Sequence, residues 1–231
     1  MTEPVYAVLT GDIKNSTRMA ENDQDRLPDV LRAIFSNLKD LLGQKGCRLE
    51  SSIFRGDSFQ LVTDPVAALD VTLGIRAGLR AAFPAKAGDA IDCRIAIGIG
   101  TVRNMSENIT ESSGEAFLSS GRLLEQMGKT FLMRIETPVQ EATQQLNIPL
   151  ALCDVIVKRW THRQALLVPD LFSETTQTGI AAASGTSQAA VASKINAMGW
   201  QAITQFRAHY VETCKHYHWT TIAIKGYNKS L

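Results

Sequence analysis

Residues 5–9, Val-Tyr-Ala-Val-Leu, form an apolar run rich in strand-favouring side chains, short enough for a buried strand. Thr10 and Gly11 break the run, so Asp12 falls where the strand ends, on the lip of whatever sheet it joins. Lys14, Asn15 and Ser16 follow, and Ser16 or Asn15 can cap a short helix. An acid on a strand tip, beside the N–H groups of a turn and a helix start, can hold a cation next to phosphate. The same residues also suit a plain turn, with Asp12 and Asn15 making only local hydrogen bonds. Both readings stand at this point.

The pattern downstream limits what that lip belongs to. Glu21-Asn22-Asp23 reads as a polar loop. Leu27, Val30, Leu31, Ile34, Phe35, Leu38, Leu41 and Leu42 recur at helical spacing, and Gly43 and Gly46 end that helix. Leu49, Ser51 and Ile53 alternate along one strand, Ser58 to Val62 forms another, and Gly56-Asp57 between them predicts a β-hairpin. Asp64 and Pro65 mark the start of a helix that runs to about Phe83. Ile91 to Ile99 is the clearest strand. A polar loop from Thr101 to Ser113, a helix over 115–127, a short strand over 131–135 and a helix start at Thr137-Pro138 complete this part. Strand, helix, hairpin, helix, strand is the βαββαβ order of a ferredoxin-like or palm domain. In such an antiparallel sheet the strand ending at Thr10 lies beside the hairpin, so Asp12 and Asp57 can meet. Two adjacent carboxylates repel unless a divalent cation lies between them, and oxygen ligands with phosphate and water suit Mg²⁺ or Mn²⁺.

Composition bounds the partners. The chain has 231 residues, 20% of them charged, and a net charge of +1, so no global charge points to a nucleic-acid or membrane surface. No apolar run approaches a membrane span. Cys47, Cys93, Cys153 and Cys214 have neither metal-ligand nor redox spacing and are expected reduced and partly buried. The cytoplasm is the expected location.

Three segments resemble class III nucleotidyl cyclases. Gly11-Asp12-Ile13-Lys14-Asn15-Ser16-Thr17 is similar to their first metal motif. Phe54-Arg55-Gly56-Asp57-Ser58-Phe59 is similar to the second, and also to the hairpin of diguanylate cyclases. Gly114-Glu115-Ala116-Phe117 with Arg122-Leu123 resembles the late helix that carries a transition-state arginine. The resemblance implies that Asp12 and Asp57 hold Mg²⁺, aided by the Ile13 carbonyl. Lys14, Asn15, Ser16, Thr17 and Gly56 would then surround the nucleotide, with Arg122 in the catalytic role. Two positions depart from that pattern: the late-helix asparagine falls on Leu118 and the base-reading lysine on Ile53. Arg55 is the nearest cation that could take over charge work. A purine nucleoside triphosphate is the implied ligand, and a homodimer the implied assembly.

Asn147-Ile148-Pro149 marks the expected boundary, giving a palm domain over 1–147 and an all-α domain over 148–231. In the latter, small Ala181, Gly185 four residues on, Ser187 as a cap, and Val191 and Ile195 one turn apart fit a helix-turn-helix. Gln188, Ala189, Ser193 and Lys194 would then face DNA. From Arg163 to His218 four basic residues face three acids, a small excess for a phosphate-binding module. A helix over 200–217 packs behind, and 219–224 alternates like a terminal strand. Thr10-Gly11-Asp12-Ile13, Gly56-Asp57-Ser58-Phe59, the Trp160-Thr161 to Gln164 junction and this C-terminal motif together resemble the SatD family, which implies architecture rather than a particular activity. Three functions follow as alternatives: a nucleotide-responsive DNA-binding regulator, an active cyclase or nucleotidyltransferase, and an inactive interaction module.

Overall fold

A computed structural model describes residues 4–14, 16, 19–84, 90–104, 109–128 and 130–219. Asn15, Thr17 and the terminal strand expected beyond Trp219 lie outside the described residues. The chain opens with β1 (Val5–Lys14), α1 (Glu21–Gln44) and the hairpin of β2 (Leu49–Phe54) and β3 (Ser58–Thr63). Then come α2 (Ala68–Ala82) and β4 (Asp92–Asn104). This is the expected βαββαβ unit. It is extended by β5 (Ser113–Gly114), α3 (Glu115–Gln126) and β6 (Met133–Glu136). The strands lie in the order β2-β3-β1-β4-β5, with β6 also paired to β4. The β6 pairing is parallel, so the sheet is mixed rather than purely antiparallel.

Alternation along β1 divides the fold into layers. Ala7, Leu9 and Ile13 point into the main core, where α1 and α2 supply Leu31, Phe35, Leu42, Leu73 and Leu79. Val8 points the other way, into a smaller cluster with Val62, Val102 and Ala116. There α3 lies close on β4, because a Cβ at Gly98 would sit 2.7 Å from the backbone nitrogen of Ser120. Below Val8 that second face turns polar: Thr10, Asp12, Ser58 and Gln60 are all half-buried.

The helical part follows as α4 (Gln140–Lys158), α5 (His162–Ala165), α6 (Val168–Phe172), α7 (Gln177–Ser184), α8 (Gln188–Ala197) and α9 (Trp200–His216). The α4 helix runs through Pro149, so the boundary expected at 147/148 falls inside a helix. Core residues of both parts form one continuous cluster. Polar contacts also cross between them: Arg207 clamps Asp70 through Nε and Nη2 at 2.6 and 2.7 Å, and the Tyr210 hydroxyl donates to the Pro65 carbonyl. A fully buried Arg76 joins Asp92 of β4 to Asp154 of α4. No helix among the described residues is long and apolar enough to cross a membrane.

Two local expectations change. Glu21-Asn22-Asp23 is the first turn of α1 rather than a loop, where its acids favour the positive end of the helix. Among the described residues no side chain caps that helix, and the short helix expected at Ser16 lies largely outside the described residues. Asp64 makes no cap bond either; its Oδ2 accepts the Arg48 N–H at 2.7 Å.

Candidate functional site

Thr10 and Gly11 do not break the first strand as expected: β1 runs to Lys14, so Asp12 lies inside it and its lip is built by strand register. On β1, Asp12 stands opposite Ser58 of β3 on one side and opposite Arg94 of β4 on the other. Just beyond it the Ile13 N–H donates to the Asp57 carbonyl at 2.9 Å, which ties the hairpin tip to the end of β1. Ser16 Oγ donates to Asp57 Oδ2 at 2.8 Å, and Ser58 Oγ to Oδ1 at 3.3 Å. Asp12 and Asp57 therefore lie toward the same end of the strands, and two hydroxyls orient Asp57.

The sequence reading missed Arg94. Its Nε donates to Asp12 Oδ1 at 2.9 Å and its Nη2 to Oδ2, a bidentate charge-assisted pair. Nη1 donates to the Met127 carbonyl at 2.8 Å, just past α3. Hydrogen bonding to Asp12 raises the affinity of the Arg94 guanidinium for its proton further, so it stays cationic. A signal for it existed: Cys93, Ile95, Ile97 and Ile99 fill one face of β4, leaving Arg94 alone among Ala96, Gly98 and Gly100 on the other. Its partner could not be read without the register.

The other expected residues scatter more widely. Ile13 has its side chain buried and Lys14 is half-buried. Arg55 is exposed at the hairpin tip with φ 57°, followed by Gly56 at 77°, so Arg94 rather than Arg55 is the cation on Asp12. Arg122 is exposed on α3, one turn beyond Leu118, which is also exposed. Beneath α3, Thr10 Oγ1 bonds Ser120 Oγ at 2.8 Å and accepts from Gln60 Nε2, giving this face a short polar network.

Asp12, Asp57 and the Ile13 carbonyl are hard oxygen donors of the kind Mg²⁺ takes alongside phosphate and water. The donor set fits such an ion, with the Arg94 guanidinium as its competitor for Asp12. Among the described residues no three His, Cys, Asp or Glu side chains gather, so water and ligand oxygens would have to complete the shell.

In the helical part, Gly185 takes the left-handed conformation at φ 62° and ends α7. Ser187 Oγ accepts the Ala190 N–H at the start of α8, and Val191 and Ile195 are buried. Gln188, Ala189 and Ser193 are exposed and Lys194 is half-buried. The turn at Gly185 and the cap at Ser187 form where they were expected.

No protein-family model matches the chain, and no curated protein matches it. Solved structures similar to it include three cyclases. The dimeric guanylyl cyclase domain of the RhoGC fusion protein from the aquatic fungus Blastocladiella emersonii is 18% identical, with a TM-score of 0.39, over 54% of this chain and 75% of that one. An adenylate/guanylate cyclase/hydrolase from Silicibacter pomeroyi is 22% identical, with a TM-score of 0.40, over 55% and 73%. A bacterial light-regulated adenylyl cyclase is 16% identical, with a TM-score of 0.37, over 58% and 43%.

Proposed function

We propose that this protein binds a purine nucleoside triphosphate with a divalent cation at the lip formed by Asp12 and Asp57. The observation that carries this reading is the hydrogen bond from the Ile13 N–H to the Asp57 carbonyl. It ties Asp57 to the residue after Asp12, an acid forty-five positions earlier in sequence, at one end of the strands. Mg²⁺ or Mn²⁺ held by Asp12, Asp57 and the Ile13 carbonyl would offset the triphosphate charge and act as a Lewis acid there. The chain's own groups do the rest: Ser16 and Ser58 fix the rotamer of Asp57, and Arg94 sets how strongly Asp12 is available. The half-buried polar face of Thr10, Ser58 and Gln60 supplies hydrogen-bonding groups beside it. Turnover as a cyclase or nucleotidyltransferase is the further step, with exposed Arg122 as its candidate catalytic residue.

The test is a thermal-shift series with ATP, GTP, CTP and UTP, each with and without Mg²⁺, on wild type, Asp12→Asn and Asp57→Asn. The expected result is a metal-dependent, base-selective shift lost in both variants, followed by an assay for pyrophosphate release. A wild type that shifts with no nucleotide overturns the reading.

A second reading, DNA binding through α8, is favoured by its exposed outer residues and the left-handed turn at Gly185. Lys194 is the one charged residue between Thr176 and Gly199, so one module neutralises about one phosphate and its salt slope is about −1. Mobility shifts across a salt series, with Lys194→Ala, test it; no shift at low salt removes it.

A further inference from the structure

The outer face of α4 departs from the usual pattern of a surface helix. Its inner residues Leu146, Leu150, Cys153 and Val157 are buried as expected. Yet Ile148, Leu152 and Val155 are 68%, 64% and 49% exposed. They recur at i, i+4 and i+7, so they form one stripe along the helix. Single exposed apolar side chains are ordinary, whereas an aligned set of three large ones marks a contact surface.

The ends of the stripe are charged. Glu141 stands seven residues before Ile148, and Arg159 seven after Leu152; both are exposed. The stripe is thus symmetric in position about the level of Leu150 and opposite in charge at its two ends. A helix with that pattern complements itself when turned end for end, as an isologous two-fold contact requires.

We propose that this face is a self-association surface through which two copies of the chain pair antiparallel. The two-fold axis would pass at the level of residue 150. Ile148 of one copy then packs on Leu152 of the other, twice over. Val155 covers the stem of Gln145, and Glu141 meets Arg159 at both ends. A parallel pair would set Glu141 against Glu141 and Arg159 against Arg159, which repel. One helix pair buries less than the roughly 800 Å² per partner of a standard interface, so the dimer is weak and depends on concentration. The surface is separate from the Asp12–Asp57 lip, and the proposal does not rest on nucleotide binding.

Sedimentation velocity over a concentration series tests it on the full chain. Wild type should pass from monomer to dimer, and Leu152→Glu should raise the dissociation constant at least about tenfold. Glu141→Arg and Arg159→Glu should each weaken the dimer about three- to tenfold. The double variant should return to near wild type, because the swapped charges again face opposite signs. Every substituted side chain is exposed, so circular dichroism and melting temperature should match wild type. A wild type that stays monomeric overturns the proposal and leaves the stripe to a different protein. A dimer indifferent to Leu152→Glu, or a double variant without rescue, overturns the antiparallel arrangement.

Discussion

Arg94 grips both carboxylate oxygens of Asp12 from the opposite position of the neighbouring strand, although 82 residues separate them in sequence. A guanidinium thus already compensates the acid that the opening stretch presents at the sheet lip. Side-chain exposures of 26% and 28% leave the pair partly screened.

Removing that cation should have two measurable effects. Arg94→Gln should cost about 1–2 kcal/mol in urea unfolding, through loss of a partly buried charge-assisted pair. It should also tighten Mn²⁺ binding without nucleotide, read by the loss of free-ion paramagnetic resonance signal, because Asp12 is released. Unchanged Mn²⁺ affinity would mean the guanidinium does not compete for that carboxylate.

Gly11 tests how closely the lip is packed. A Cβ there would meet a Phe59 ring carbon at 2.5 Å and the Arg94 carbonyl oxygen at 2.8 Å. Gly11→Ala should therefore lower stability by about 1–3 kcal/mol, the usual range for overpacking. Thermal melts and urea curves provide the check; a neutral result would show that Phe59 can move aside.

The buried network beneath β4 predicts an acid-labile fold. Burial by itself would raise the carboxyl pKa of Asp92, but Arg76 and Arg80 outweigh it and hold it below its ordinary 3.8. A depressed folded pKa gives stability that is complete above about pH 4 and is lost as pH falls through the folded value. Melting temperature should therefore fall steeply below about pH 4. The gap between wild type and Asp92→Asn should narrow over the same range. At neutral pH Arg76→Met should cost about 3 kcal/mol, since both buried carboxylates lose their shared guanidinium, while Asp92 keeps Arg80 and Asp154 keeps Lys158.

The four cysteines should be inert in the folded protein. Burial pushes the thiols of Cys47, Cys153 and Cys214 up to about 12, and that of Cys93 well above its usual value. Only the thiolate reacts readily. An aromatic disulfide reagent at about pH 8 should find no fast thiol in the native chain and all four after denaturation.

Elements whose signal lies within a dozen residues were legible in the sequence. The β2–β3 hairpin follows from alternation around Gly56-Asp57. The α7–α8 turn follows from Gly185 and Ser187, each acting on its near neighbours. Where a side chain had both a local and a distant partner, sequence logic chose the local one. Asp64 looks like a helix cap yet serves the Arg48 N–H, and the Ser16 hydroxyl reaches Asp57 on the hairpin. The Asn147-Ile148-Pro149 stretch looks like a boundary, but α4 runs through its proline with its inner face in the core that both parts share.

By itself, then, the sequence determined the βαββαβ order and the acid at the hairpin tip, because periodicity and turn chemistry are short-range properties of the chain. Only the tertiary structure decided that Arg94 faces Asp12, that Arg76 joins Asp92 to Asp154, and that the described residues leave the stripe on α4 exposed. Those outcomes depend on strand register and helix packing, where a shift of one residue turns every side chain to the other face.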